Sequence, residues 1–181
     1  MMKILIGVCG GIAAYKAADL VSKLVQNDHE VNVCMTSNAE NFISALTFTG
    51  LTGNFTQTIK NLNSKDTDNV YSHLFPASIS DIFVLIPATA NTIASIANGY
   101  GNDPVSNSAL SLHPTCRKIF CPAMNPIMWE QASVQRNVNQ LKHDAWKMID
   151  PEAGRLACGS TGIGRLANLD TILEVINRSN D

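Results

Sequence analysis

A three-layer α/β/α fold around a parallel sheet is predicted by three features of this chain. Short apolar runs at residues 3–8, 81–86 and 118–121 lack polar alternation, as strands buried on both faces require. Stretches of helical periodicity separate the apolar runs; in residues 12–26, Ala13, Ala17, Leu20, Val21 and Leu24 share one face. The runs end in small or hydroxyl-bearing residues, where open α/β sheets bind ligands.

The elements follow in order. Residues 3–8 form the first strand, closed by glycine, and residues 12–26 the first helix. Residues 31–35 form the second strand. Thr36-Ser37-Asn38 then carries cap chemistry for a helix through Leu46. Residues 50–69 mix Thr, Asn, Lys and Asp and are expected to form a loop with at most a short strand or turn. Residues 81–86 are the third strand, and residues 89–98 a helix stopped by Gly99. A loop over 99–104 leads to a short helix at 105–112. Residues 118–121 are the fourth strand, 131–142 a helix and 145–149 the fifth strand. Residues 151–164 hold four glycines and are expected to form a mobile loop, before a helix at 169–177. Strand and helix in alternation predict a Rossmann-like doubly wound sheet. One domain is expected over residues 1–181, without internal repeat or linker.

Composition narrows the function classes. Charged residues are 15%, hydrophobic residues 45% and net charge is −2. With a pI of about 6.0, nothing suggests a nucleic-acid partner. No stretch is long and apolar enough to span a membrane. The five cysteines, Cys9, Cys34, Cys116, Cys121 and Cys158, have no paired spacing, so reduced thiols in a cytoplasmic protein are expected rather than disulfides or a zinc site.

Candidate sites lie at the strand ends. Cys9-Gly10-Gly11-Ile12 joins the first strand to the first helix. Glycine lets backbone approach a ligand, and a helix N-terminus offers N–H groups to an anion. A tight strand-to-helix turn also needs glycine for itself, and the spacing is neither Gly-x-Gly-x-x-Gly nor a P-loop. Thr36 and Ser37 end the second strand, where hydroxyls meet a phosphate or simply cap the next helix. Thr89, Ala90, Asn91 and Thr92 end the third. Small residues there leave room for a flat ring and polar ones offer hydrogen bonds; a capped helix start is the plain alternative. Three such turns outline one crevice, suited to a phosphate at one end and a ring at the other.

Pro122-Ala123-Met124-Asn125-Pro126-Ile127-Met128-Trp129 follows the fourth strand. Asn125 in this apolar company is either a turn residue or a grip on something polar. His73 lies just before the third strand; a neutral imidazole takes a thiol proton near neutral pH. Cys158 sits in a glycine-rich segment, either an incidental thiol or part of a flap over substrate.

As a set, these residues resemble the homo-oligomeric flavin-containing cysteine decarboxylases. The likeness is carried by Gly7 to Lys16, His73 with Asp81, Pro87 to Thr92, Pro122 to Trp129 and Ala157-Cys158-Gly159. It implies FMN rather than FAD, held by Gly10, Gly11, Ile12, Thr36, Ser37, Thr89, Ala90, Asn91, Thr92 and Ala123. It implies a small cysteine-containing substrate, with His73 as base, Asn125 holding the carboxylate and Met128 lining the pocket. Cys158 would return a proton after CO₂ leaves, which points to the coenzyme A branch and 4′-phosphopantothenoylcysteine. The other branch, acting on the C-terminal cysteine of lantibiotic-type peptides, typically lacks this thiol. Non-catalytic regulatory relatives are a third class. The resemblance also implies a trimer, or a dodecamer of trimers, with shared active sites.

Overall fold

A computed structural model describes residues 1–62, 74–155, 159 and 161–178. Five strands, β1 (Lys3–Val8), β2 (Glu30–Met35), β3 (Ile82–Ala88), β4 (Arg117–Pro122) and β5 (Trp146–Met148), form one sheet in the order β2-β1-β3-β4-β5. All of its pairings are parallel; Ile4 lies opposite Val31 on one side and Ile82 on the other.

Helices cover both faces, as the unalternating strands require. Ile4, Ile6 and Val8 pack with α1 (Ala14–Gln26), α2 (Ala45–Thr52) and α8 (Leu169–Asn177), through Leu20, Phe48 and Ile172 among others. Leu5, Phe83 and Phe120 point the other way, toward α4 (Ala90–Ala97), α5 (Pro104–Leu110) and α7 (Ala132–His143). Successive strand residues thus feed two cores, and the sheet is the middle layer. Trp146 closes the second core, edge-on to Phe83 at 5.7 Å between centroids.

Besides a short helix after β4, four stretches differ from the sequence expectation. Thr36 does not start a helix through Leu46. Its hydroxyl accepts the Ala39 N–H at 3.2 Å and supports only a single 3₁₀ turn over Ala39–Asn41. Ser44 is the true cap: its hydroxyl accepts the Leu46 N–H at 3.2 Å and α2 runs on to Thr52, with Phe48 fully buried. Residues 50–62 are accordingly more ordered than a loop. Gly53 ends α2 at φ 71°, Gln57 bridges to Cys34 beside β2, and α3 (Ile59–Leu62) follows. The short helix at 105–112 begins earlier, at Pro104, because Asp103 and Ser106 form a reciprocal capping box.

The fourth difference bears on function. Among the described residues of the expected mobile loop, β6 (Glu152–Arg155) and β7 (Thr161–Arg165) pair as antiparallel strands. Their glycines hid the alternation that marks a strand: Gly154 pairs with Gly162, and Ala153 with Ile163.

Candidate active site

The chain crosses from β1 to β2 in one direction and back to β3 in the other, so the sheet opens a crevice at the carboxyl ends of β1 and β3. Because the strands are parallel, the turns after β1, β2, β3 and β4 all meet at this edge. They carry nearly every site residue expected from the sequence.

Gly10 is required by a close approach between two of these turns. A Cβ there would lie 2.6 Å from the Asn38 Nδ2 and 2.7 Å from its carbonyl carbon. Gly11 has no atom within 4 Å of its would-be Cβ and faces open space. Ile12 is 65% exposed beside it, and α1 starts without a side-chain cap. On the second turn Thr36 is buried in its own 3₁₀ turn, while Ser37 is exposed.

The third turn is tied by its hydroxyls. The Thr89 hydroxyl donates to Thr92 Oγ1 at 3.3 Å and accepts the Thr92 N–H at 3.4 Å, capping α4. Thr92 is buried, Ala90 half-buried and Asn91 exposed. Cys9 lies against the pair; burial pushes its thiol up to about 12, against the opposing hydrogen bond from Thr92. Burial also raises Cys116, to about 11, and Cys34 and Cys121 further. These four thiols are therefore packing groups, without thiolate character at neutral pH. Among the described residues no cluster of His, Cys, Asp and Glu could hold a metal ion.

In the fourth turn Asn125 is a turn residue, the plainer of its two readings. The Ala123 N–H donates to the Ala88 carbonyl at 3.1 Å, tying the ends of β3 and β4. Asn125 then caps α6 (Pro126–Trp129), a helix not expected from the sequence: its Oδ1 accepts the Ile127 N–H at 2.9 Å. The Trp129 N–H returns to the Asn125 carbonyl at 3.0 Å. This cap engages the amide oxygen and fixes the orientation of the side chain. Met128 stands half-exposed three residues on.

Two residues absent from the sequence expectation complete the fourth turn. The Met124 N–H donates to the Gly164 carbonyl at 2.9 Å, which joins β7 to the Asn125 loop. A Cβ on Gly162 would lie 2.8 Å from Pro126 Cγ. The signal for both was a Gly-x-Gly spacing, which leaves one face of a strand bare. His73 and Cys158 lie outside the described residues.

Gly11 faces open space, Ala90 and Ala123 are small and half-buried, and Ser37, Asn91 and the start of α1, which has no side-chain cap, carry hydrogen-bond donors at the same edge. This donor set fits a flavin phosphate. Residues 1–181 match the Flavoprotein family. The chain belongs to the Flavoprotein family. Its cofactor is therefore a flavin. It is 43% identical over 174 residues to the "Probable phosphopantothenoylcysteine decarboxylase" of Streptococcus mutans, covering 96% of each chain. It is 41% identical to the "Coenzyme A biosynthesis bifunctional protein CoaBC" of Borreliella burgdorferi, covering 96% of this chain and 43% of that one. The chain thus spans less than half the length of that bifunctional relative. Among solved structures, a cysteine-to-serine mutant of PPC decarboxylase complexed with pantothenoylaminoethenethiol superposes with a TM-score of 0.88 at 24% identity, covering 97% of this chain and 96% of that one. The FMN-dependent cysteine decarboxylase SpaF superposes with a TM-score of 0.81 at 25% identity, covering 97% and 94%. Among the described residues, no helix of this flavoprotein is long and apolar enough to cross a membrane.

Proposed function

We propose that this flavoprotein decarboxylates 4′-phosphopantothenoylcysteine to 4′-phosphopantetheine, a step of coenzyme A synthesis, with FMN as its flavin. The observation that carries the reading is the Asn125 amide, oriented by the Ile127 N–H at the rim of a crevice with Gly11, Ala90 and Ala123 at its strand ends. The 43% identity to a relative named for this activity supports the substrate, and the cofactor named for SpaF supports FMN.

Gly10, Gly11, Ile12, Thr36, Ser37, Thr89 to Thr92 and Ala123 hold the cofactor in this reading. Thr36, Thr89 and Thr92 shape the turns, and Ser37, Asn91 and the first N–H groups of α1 offer donors. Bound there, the flavin supplies the two-electron chemistry that side chains lack. His73 takes the proton of the substrate thiol. The Asn125 NH₂ donates to the substrate carboxylate and fixes its direction, and Met128 covers the apolar side. Cys158 gives a proton to the carbon that has lost CO₂. The net change is redox-neutral: one proton replaces one carboxylate. We further propose a cytoplasmic homo-oligomer, a trimer or a dodecamer of trimers; the exposed Ile12, Tyr15 and Ile127 near the strand-end turns support a second copy against the site.

Two variants test the roles. His73→Asn is expected to keep its flavin colour but not to bleach when substrate is added; normal bleaching overturns the base assignment. Cys158→Ser is expected to release CO₂ and accumulate an unsaturated thiol. Full conversion to the saturated thiol removes Cys158 from the mechanism.

A further inference from the structure

The end of the sheet away from the strand-end turns gathers positive charge. Arg117 opens β4, and the turn carrying Asn125 follows the other end of that strand, about 15–20 Å away. Arg117 and Ile119 are alternate residues of β4, and Lys147 on β5 lies opposite Ile119, so the three share one face. β5 is the outer strand of the sheet, and the end of α8 packs on this same face. Between them lies a cleft of about 350 Å³, where Arg117, Lys118, Lys147 and Arg178 surround apolar Ile119 and Val175 and no acidic side chain contributes. The whole chain has 13 Lys and Arg against 15 Asp and Glu, so four cations in one cleft are a concentration and not a sample of the surface.

Carboxylates do not account for this cluster. Arg117 is half-buried, and its guanidinium donates to the Val175 and Ile176 carbonyls at 2.8 and 3.1 Å, closing the end of α8. The Lys118 ammonium donates to the Asp144 carbonyl at 2.6 Å and stands 5.9 Å from the centre of the Trp146 ring. Among the described residues neither of these nor Lys147 forms an ion pair, and Arg178 meets only exposed Glu174, at 3.8 Å. Two more carboxylates stand near and are engaged elsewhere. Asp144 accepts from Gln140 at 3.0 Å. Asp81, in an adjoining cleft that shares Arg117 and Arg178, accepts the Lys3 N–H at 2.7 Å. Like charges brought together in a cleft repel one another and focus a field that draws in an anion.

We propose that this cleft binds a small molecule bearing a diphosphate, with the phosphates on Lys147, Arg178 and the remaining donors of Arg117 and the apolar body on Ile119 and Val175. A guanidinium has more N–H donors than the two that these carbonyls engage, and its anchoring fixes the others before a ligand arrives. Two phosphates suit cations supplied by three separate elements, β4, β5 and the residue after α8. The volume is that of a small-molecule site and takes a nucleoside diphosphate. The site is separate from the flavin crevice and does not rest on the activity proposed above.

The test is calorimetric titration of the flavin-loaded protein with ADP, inorganic pyrophosphate and adenosine at low and high salt. ADP and pyrophosphate are expected to bind, more weakly as salt rises, and adenosine not to bind. Lys147→Glu is expected to weaken ADP at least ~10-fold, because it removes a charge-assisted hydrogen bond and adds a like charge. Its flavin content and melting are expected at parental values, since Lys147 is exposed. Arg136→Glu makes the same change of charge sign on the exposed surface of α7, outside the cleft, and is expected to bind ADP like the parent. No ADP binding at low salt, parental affinity in Lys147→Glu, or an equal loss in Arg136→Glu overturns the proposal. Adenosine binding as tightly as ADP overturns it too, since the phosphates then contribute nothing. If Lys147→Glu loses flavin, Arg178→Gln decides: weaker ADP binding with flavin retained supports the site, and parental affinity overturns it.

Discussion

Gly10 and Gly11 are adjacent, yet alanine at each is expected to do different damage. At Gly10 the new Cβ falls 2.7 Å from the Asn38 carbonyl carbon and Cβ, so relief requires backbone movement in the turn after β2. That contact is about 0.8 Å inside the ~3.5 Å at which carbon atoms meet comfortably. Overpacking of this kind costs about 1–3 kcal/mol. For a domain of this size, Gly10→Ala is expected to lower the melting temperature of the flavin-free protein by about 2–12 °C. At Gly11 nothing lies within 4 Å and the backbone is not left-handed, so Gly11→Ala leaves flavin-free melting unchanged to within ~0.5 kcal/mol. If the open space beside Gly11 is where the cofactor sits, the same methyl displaces flavin. The assay is paired: thermal melting of both variants without flavin, and flavin absorbance per protein after desalting. A Gly10→Ala protein that melts like the parent refutes the packing argument. A Gly11→Ala protein with a full complement of flavin refutes the placement of the cofactor.

Asn125→Asp keeps an oxygen to accept the Ile127 N–H but turns an amide donor into a carboxylate facing a carboxylate. kcat/KM is expected to fall at least ~10-fold, from the ~1.5–3 kcal/mol of a hydrogen bond to a charged group, with melting near parental; unchanged kcat/KM contradicts the grip. Phe48→Ala empties the center of the α2 contact and is expected to cost about 3–5 kcal/mol in denaturant unfolding. The Arg165 hydrogen bond, followed by the Asn168 N–H, holds the Glu152 carboxyl below its ordinary range. A depressed carboxyl contributes stability above the unfolded value near ~4.3 and loses it as pH falls through the lower folded value. The melting difference between parent and Glu152→Gln is therefore expected at neutral pH and to vanish under acid conditions below that range; a difference independent of pH contradicts the assignment.

What the sequence reveals follows from where each constraint lies. The strands at Lys3–Val8 and Ile82–Ala88 are legible because burial on both faces writes itself as an unbroken apolar run. The last helix, Leu169–Asn177, is legible for its periodicity. The β6–β7 pair was not, since Gly154, Gly162 and Gly164 carry no side chain to alternate. Thr36 has the chemistry of a helix cap, but only the position of buried Phe48 decides that the helix waits for Ser44. The site divides in the same way. That Gly10, the Thr89 turn and Asn125 gather at one edge is a consequence of parallel topology, and topology is readable. That Gly10 is glycine because of Asn38, and Gly162 because of Pro126, is a tertiary fact with no local signature.

The most direct test of the account is the mass of the product made by the unmodified protein from phosphopantothenoylcysteine under anaerobic conditions. The account predicts a thiol lighter than the substrate by CO₂ alone, with the flavin oxidised at the end. A product lighter by CO₂ and two further hydrogens, or conversion of a cysteine-terminated peptide in preference to this substrate, would contradict it.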